Sequence, residues 1–289
     1  MLRQSTRILM TGALGMALAG GVQAQDDTIE IGWTAWSDAE FVTKLASRLI
    51  NENTDKTVEL VQTGIAPQYQ GIETGDIDAM MMSWLPATHE DYYQEVATGV
   101  ENLGVLYNGA RLGWVVPDYI PEDELSSLSD LSKESVQDKL DGRITGIDPG
   151  AGLTQLSETA IEEYGLDDYN LQTSSGAGMT AALERATSRD EWVVVTGWSP
   201  HWKFGAYDLR YLEDPEGVLG GPERVHVLAR EGFDADHPQI SQVLSRMYLS
   251  LDKLQSYMFE AREASYDDAI TRFIDENPEQ VDYWLTGEF

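Results

Sequence analysis

Three tryptophans close short apolar runs, and each is followed at once by a helix-starting or turn sequence. Trp36 ends residues 29–36 (IEIGWTAW, then Ser-Asp), Trp84 ends 79–84 (AMMMSW, then Leu-Pro) and Trp198 ends 192–198 (WVVVTGW, then Ser-Pro). In an open α/β sheet, ligands lie outside the carboxyl ends of the strands. Three indoles delivered there from distant parts of the chain would make an aromatic cage, and such a cage suits a quaternary ammonium cation. A cation–π contact contributes up to about 2 kcal/mol per ring when water is excluded. Three rings can therefore hold a cation that has no N–H to donate, whereas a primary amine would call for acids in the pocket.

Two groups are placed to hold a counter-charge. Gly150-Ala151-Gly152-Leu153 precedes a helical pattern, so the N–H groups of Gly152 and Leu153 would point outward with the positive end of the helix dipole and donate to a carboxylate. His89, five residues after Trp84, can donate a hydrogen bond to an anion whether neutral or charged. Together these groups describe a site for a zwitterion. Trp33, Trp114, Trp192, Trp202 and Trp284 lack the shared placement and read as core or surface residues.

The elements that must position these residues alternate. Ser37-Asp38-Ala39-Glu40 reads as a capping box, with Trp36 and Phe41 as a hydrophobic staple, ahead of a helix carrying Phe41, Leu45 and Leu49. Strands follow at 58–62 and 79–84, with a short helix at 69–74 between them, another helix opening at Thr88 and a strand at 109–117. A second α/β unit has a strand at 144–148, a helix from Leu153 to Tyr164, a helix at 179–186 and the strand ending at Trp198. A strand at 225–228 leads into a mostly helical stretch, 237–284. This alternation predicts an α/β fold of parallel sheets flanked by helices, in two lobes with the chain crossing between them.

The chain has 289 residues, no cysteine, 50 acidic against 19 basic residues and a formal charge of −31. Acids spread along the whole sequence read as a solvated surface suited to high salt. The field they generate repels nucleic acid and anionic lipid, so neither is expected as a partner. Arg3 and Arg7 followed by an apolar stretch to Val22, with Val22-Gln23-Ala24 as a small-x-small cleavage site, read as an export signal cut near Ala24. The lack of cysteine removes any lipid-attachment residue, which favours a periplasmic location.

The segments Ser83-Trp84-Leu85-Pro86-Ala87-Thr88-His89, 146–152 (GIDPGAG), 196–202 (TGWSPHW) and 207–212 (YDLRYL) carry a resemblance to the glycine betaine/proline betaine substrate-binding proteins of ABC importers. That resemblance implies a periplasmic-binding-protein fold, with two α/β lobes closing over a ligand in the cleft between them. It implies a trimethylammonium prism at Trp36, Trp84 and Trp198, and a ligand carboxylate held by His89, Gly152 and Leu153. In choline-binding relatives an aspartate follows two residues after a tryptophan matching Trp33. Ala35 stands there in this chain, which argues against choline.

The expected organisation is a leader over 1–24, a first lobe over 25–112, a second over 113–221, and a mostly helical return to the first over 222–289. The expected protein is a monomeric binding protein for glycine betaine or a related compatible solute, with a membrane permease as partner and with no cofactor or metal. Choline, dimethylsulfoniopropionate and polyamines are the alternative ligands; Asp38 and Asp148, the acids nearest the cage in sequence, read as helix-start or turn residues. An exported hydrolase would rely on Ser199, whose Gly-Trp-Ser-Pro-His context lacks the second glycine of a nucleophile elbow. His89, His201, His226 and His237 show no metal-ligand spacing.

Overall fold

The computed structural model describes residues 27–288; the leader and its cleavage point near Ala24 lie outside them. The strands are β1 (Thr28–Trp33), β2 (Thr57–Gln62), β3 (Ala79–Leu85), β4 (Val100–Pro117), β5 (Arg143–Thr145), β6 (Asn170–Gln172), β7 (Val195–Ser199), β8 (Leu209–Tyr211) and β9 (Glu223–Arg230). The helices of the first half are α1 (Ser37–Asn53), α2 (Ile65–Thr74) and α3 (Glu90–Val96). Those that follow are α4 (Glu134–Leu140), α5 (Gly152–Glu163), α6 (Gly176–Thr187) and α7 (Lys203–Ala206). The return comprises α8 (Phe233–Asp236), α9 (Pro238–Arg246), α10 (Leu251–Glu263), α11 (Tyr266–Glu276) and α12 (Pro278–Thr286).

The strands run β2-β1-β3-β9-β4-β7-β5-β6, with β8 paired to the end of β4. β1 is parallel to β2 and β3, and β5 is parallel to β6 and β7, so each half of the sheet is a small parallel unit. The expectation of parallel pairing holds within these units, and the strands that join them are antiparallel. β9 is antiparallel to both β3 and β4, and β4 is antiparallel to β7.

β4 ties the halves together. Val100 to Ala110 pair with β9 through three register shifts, and Arg111 to Val115 pair with β7. Each irregularity bends a strand and increases its twist, which suits one long strand to serving two differently oriented units. It also makes β4 much longer than the 109–117 segment that its hydrophobic pattern suggests.

Local sequence explains most of the elements. β1 alternates, with Ile29 and Ile31 inside, whereas β3 is buried along nearly its whole length and accordingly lacks polar alternation. α1 buries Phe41, Leu45 and Leu49 as the helical spacing predicts. Its start differs from the expected capping box: Trp36 is the N-cap, without a side-chain cap bond, and the Ser37 hydroxyl is buried without a partner. The helix thus begins one residue early, and Trp36 is turned away from the staple position. The return helices pack on α1 through a run of rings, Phe41 against Phe273 at 6.1 Å and Phe273 stacked on Trp284 at 5.7 Å.

No helix among the described residues is long and apolar enough to cross a membrane.

Candidate functional site

Four strands, β1 and β3 from one parallel unit and β5 and β7 from the other, bring their carboxyl ends to the junction between the two halves. The segment after β1 delivers Trp36 and Asp38, and the end of β3 delivers Trp84 and the loop to Thr88 and His89. The segment after β5 delivers Asp148 and the N-terminus of α5, and β7 delivers Trp198. Trp36, Trp84, His89, Gly152, Leu153 and Trp198 all line one cavity of about 300 Å³, together with Asp38, Thr88, Leu112, Ile147 and Ala151. Trp33 is not in its wall; its indole N–H is buried without a partner.

The rings are set at angles to one another. Trp36 and Trp198 face each other at 6.4 Å and 60°, and Trp36 lies 6.4 Å from the His89 ring. Trp84 is held edge-on to Tyr107 at 6.3 Å, with its Nε1 directed 3.2 Å onto Met82 Sδ.

The other two cage indoles are fixed by carboxylates from the opposite half of the sheet. Trp36 Nε1 donates to Asp148 Oδ2 at 2.9 Å, and Trp198 Nε1 donates to Asp38 Oδ1 at 3.0 Å. Asp38 and Asp148 do sit at a helix start and in a turn, as their positions suggest, but their side chains do more. Each orients an indole across the cleft. Nothing in the sequence distinguishes them from the many other acids at such positions.

Asp38 is almost fully buried, at 1% exposure. Burial raises its carboxyl pKa, opposed by hydrogen bonds from Tyr107 Oη, Trp198 Nε1 and the amides of Asp38 and Ala39. An indole N–H can only donate, so Oδ1 must accept. The first turn of α1 then places the carboxylate at the positive end of the helix.

His89 is buried to the same degree. Burial pushes its pKa down to about 3, so the ring is neutral. Nδ1 accepts the Trp84 N–H at 3.1 Å, which leaves the proton on Nε2. The edge of Tyr69 packs 5.9 Å from this ring and holds its plane. The sequence left His89 able to donate in either charge state; the buried setting makes it a neutral donor.

The loop carrying Thr88 and His89 is secured by Glu223 at the start of β9. Thr88 donates its N–H to Oε2 at 3.2 Å and its hydroxyl to Oε1. Glu223 is buried, and burial raises its pKa against these donors. This support carries no motif and was invisible in the sequence.

Against the Thr88–His89 loop, α5 presents its N-terminus. Gly152 and Leu153 occupy the first two helical positions, where an N–H has no intrahelical acceptor. A side chain at 152 is excluded by contact, since a Cβ there would meet the Thr88 carbonyl at 2.0 Å. Just outside, Tyr92 Oη donates to the Gly150 carbonyl at 2.8 Å and accepts from Gln155 Nε2 at 2.9 Å, a further bridge between the halves.

The remaining tryptophans have other surroundings. Trp114 donates to Ser157 in the core of the second half, Trp192 lies under Lys139, Trp202 lies under Arg262 and Trp284 stacks on Phe273. Ser199 shares a hydrogen bond with Tyr211 Oη at 2.7 Å.

Comparison with known proteins agrees with this architecture. Residues 27–276 match the family described as the substrate binding domain of ABC-type glycine betaine transport systems. The glycine betaine/carnitine transport binding protein of Listeria monocytogenes is 38% identical over 159 residues, 54% of this chain and 53% of that protein, so the match spans about half the length of that relative. The glycine betaine-binding periplasmic protein of Dickeya dadantii is 22% identical over 96% of this chain and 97% of its own length. Among solved structures, lactococcal OpuAC in its closed-liganded conformation with glycine betaine superposes with a TM-score of 0.83. It is 30% identical, over 90% of this chain and 99% of that one. The chain belongs to the family of substrate-binding domains of ABC-type glycine betaine transport systems.

Proposed function

We propose that the protein captures glycine betaine, or a closely related quaternary-ammonium zwitterion, and hands it to the permease of an ABC importer. One observation carries the reading. A single small cavity is lined by three indoles, a neutral histidine and a helix N-terminus. The indole faces would take the trimethylammonium group. His89 Nε2 and the amides of Gly152 and Leu153 would take the carboxylate. No proton needs to move, and the ligand leaves as it arrives.

In this reading residues 25–112 and 222–289 form one lobe and 113–221 the other. The cross-cleft bonds Trp36–Asp148, Trp198–Asp38 and Tyr92–Gly150 then belong to the closed form. The leader-like sequence at 1–24 supports export to the periplasm, where a single copy would meet its permease. A polyamine would require acids at separated ends of the site, and Asp38 is the only carboxylate among the residues lining the cavity.

Titration calorimetry with glycine betaine, proline betaine, choline and dimethylsulfoniopropionate tests the reading. Saturable heat with a zwitterion is expected. Absence of binding to all four ligands would sink it.

A further inference from the structure

Behind the cage lies a second buried charge-bearing group that the binding reading does not use. Lys203, the first residue of α7, has no exposed surface. Its Nζ lies 4.4 Å from the centroid of Trp198, 5.1 Å from that of Phe204, and 3.4 Å from the Trp198 carbonyl oxygen to which it donates. Lys203 is not in the cavity wall, so the ammonium covers the face of Trp198 turned away from the cavity. Asp38, which is in the wall, holds the N–H edge of the same ring. The two charges do not touch; each contacts Trp198, one on either side of the boundary between cavity and core.

The surroundings of Lys203 suit an ammonium: a carbonyl oxygen and two aromatic faces. Burial pushes its pKa well below the ordinary lysine value, and the carboxylate of Asp38 opposes that shift. His201, the other buried titratable group beside it, accepts the Lys203 backbone N–H through Nδ1 and is kept neutral by burial and by the lysine itself. Across α7, Arg262 of α10 is directed at Trp202 and Tyr207. Asp38 is therefore the only charge poised to balance Lys203 from within the cage.

Resting on the betaine-site reading above, we infer that the Asp38–Lys203 pair is the specificity determinant that selects zwitterions over simple cations. In this inference both groups keep their charge, and with His89 neutral the cage and the lysine behind it carry no net charge. A betaine, itself net neutral, adds none. Choline would place one positive charge in the closed cavity with nothing to balance it, and an unbalanced buried charge is strongly unfavourable. Removing the lysine charge would leave Asp38 as a free counter-ion, and the preference would move towards choline.

The test is the ratio of choline to glycine betaine dissociation constants, measured by calorimetry at neutral pH, with thermal melts to verify folding. Wild type should favour betaine. Lys203→Met, an apolar side chain of similar length, should shift the ratio towards choline by about tenfold or more. Asp38→Asn leaves the lysine charge alone and should shift it the other way. A Lys203→Met protein that retains the wild-type ratio overturns the inference. If that variant does not fold, an Asp38→Asn ratio that stays put or moves towards choline overturns it instead. Failure of wild type to bind either ligand would refute the betaine site itself, a separate result.

Discussion

Trp198 donates its indole N–H to Asp38 across 3.0 Å, from the second half of the sheet to the first. The opposite exchange occurs between Trp36 and Asp148 over 2.9 Å. Each half thus supplies a ring that the other half orients. On the proposed reading such a cage would be complete only with the halves together, because neither ring has its carboxylate partner within its own half. Ligand binding and closure would then be the same event seen from two sides.

The outer of these bonds, Trp36 to Asp148, should act on ligand escape. Asp148 is half-buried, and a hydrogen bond to a charged group contributes about 1.5–3 kcal/mol when shielded from water. Asp148→Ala should raise the glycine betaine off-rate about tenfold while the on-rate changes little, since affinity changes within one interface fall mostly on dissociation. Stopped-flow tryptophan fluorescence reads both. Trp36→Phe keeps a ring and loses the N–H, so the double variant should be no worse than the poorer single one. Additive losses would mean that the bond does not form in the bound state.

On the proposed reading the cage rings take the cation. Trp84→Ala and Trp198→Ala should each weaken glycine betaine binding at least tenfold, the loss expected for a contact of about 2 kcal/mol in a dry site. Wild-type affinity in both would refute the cage. Trp33→Phe should leave the affinity unchanged, because Trp33 stands outside the cavity wall.

The positions of the indoles were legible because each lies at or just beyond the carboxyl end of a strand whose apolar run is easy to read. The helix over Gly152–Glu163 was legible from its glycine-rich start and its spacing. The partners were not. Asp38, Asp148 and Glu223 belong to a chain with 50 acids, and which of them turns inward depends on contacts 112 to 160 residues away in sequence. Lys203 was hidden for the opposite reason. A lysine beside Trp202 and Phe204 gives no local sign of burial, and its position follows from its side chain reaching back against Trp198 of β7. The antiparallel joint of β4 and β9 escaped notice because β4 is bulged, so its pairing residues lose the two-residue period.

The histidines give a pH signature of stability. His89 has an ordinary value of 6.5 and is pushed down to about 3 by burial, and His201 is pushed down for the same reason. Between these limits the unfolded chain binds protons that the folded chain refuses. Stability therefore falls as pH drops below about 6.5, by up to about 1.4 kcal/mol per pH unit for each histidine. Urea denaturation at pH 7, 6 and 5 should show this slope, and His89→Gln should remove a substantial part of it. Glycine betaine affinity should meanwhile stay flat from pH 8 to pH 5, since the neutral donor persists. A sharp loss of affinity near pH 6.5 would show that His89 titrates normally.

Gly152 offers the most direct test of closure. A Cβ at this position would meet the Thr88 carbonyl at 2.0 Å, and Thr88 is held by the buried Glu223, so the loop cannot give way cheaply. The conflict exists only when α5 abuts the first half of the sheet, and alanine suits a first helical turn otherwise. Gly152→Ala should therefore fold with a melting temperature close to that of the ligand-free wild type and yet bind glycine betaine about a hundredfold more weakly or worse. Small-angle scattering should show wild type contracting on addition of betaine and the variant remaining extended. A variant that contracts and binds normally would mean that the two halves do not meet at Gly152 and Thr88 in the liganded protein.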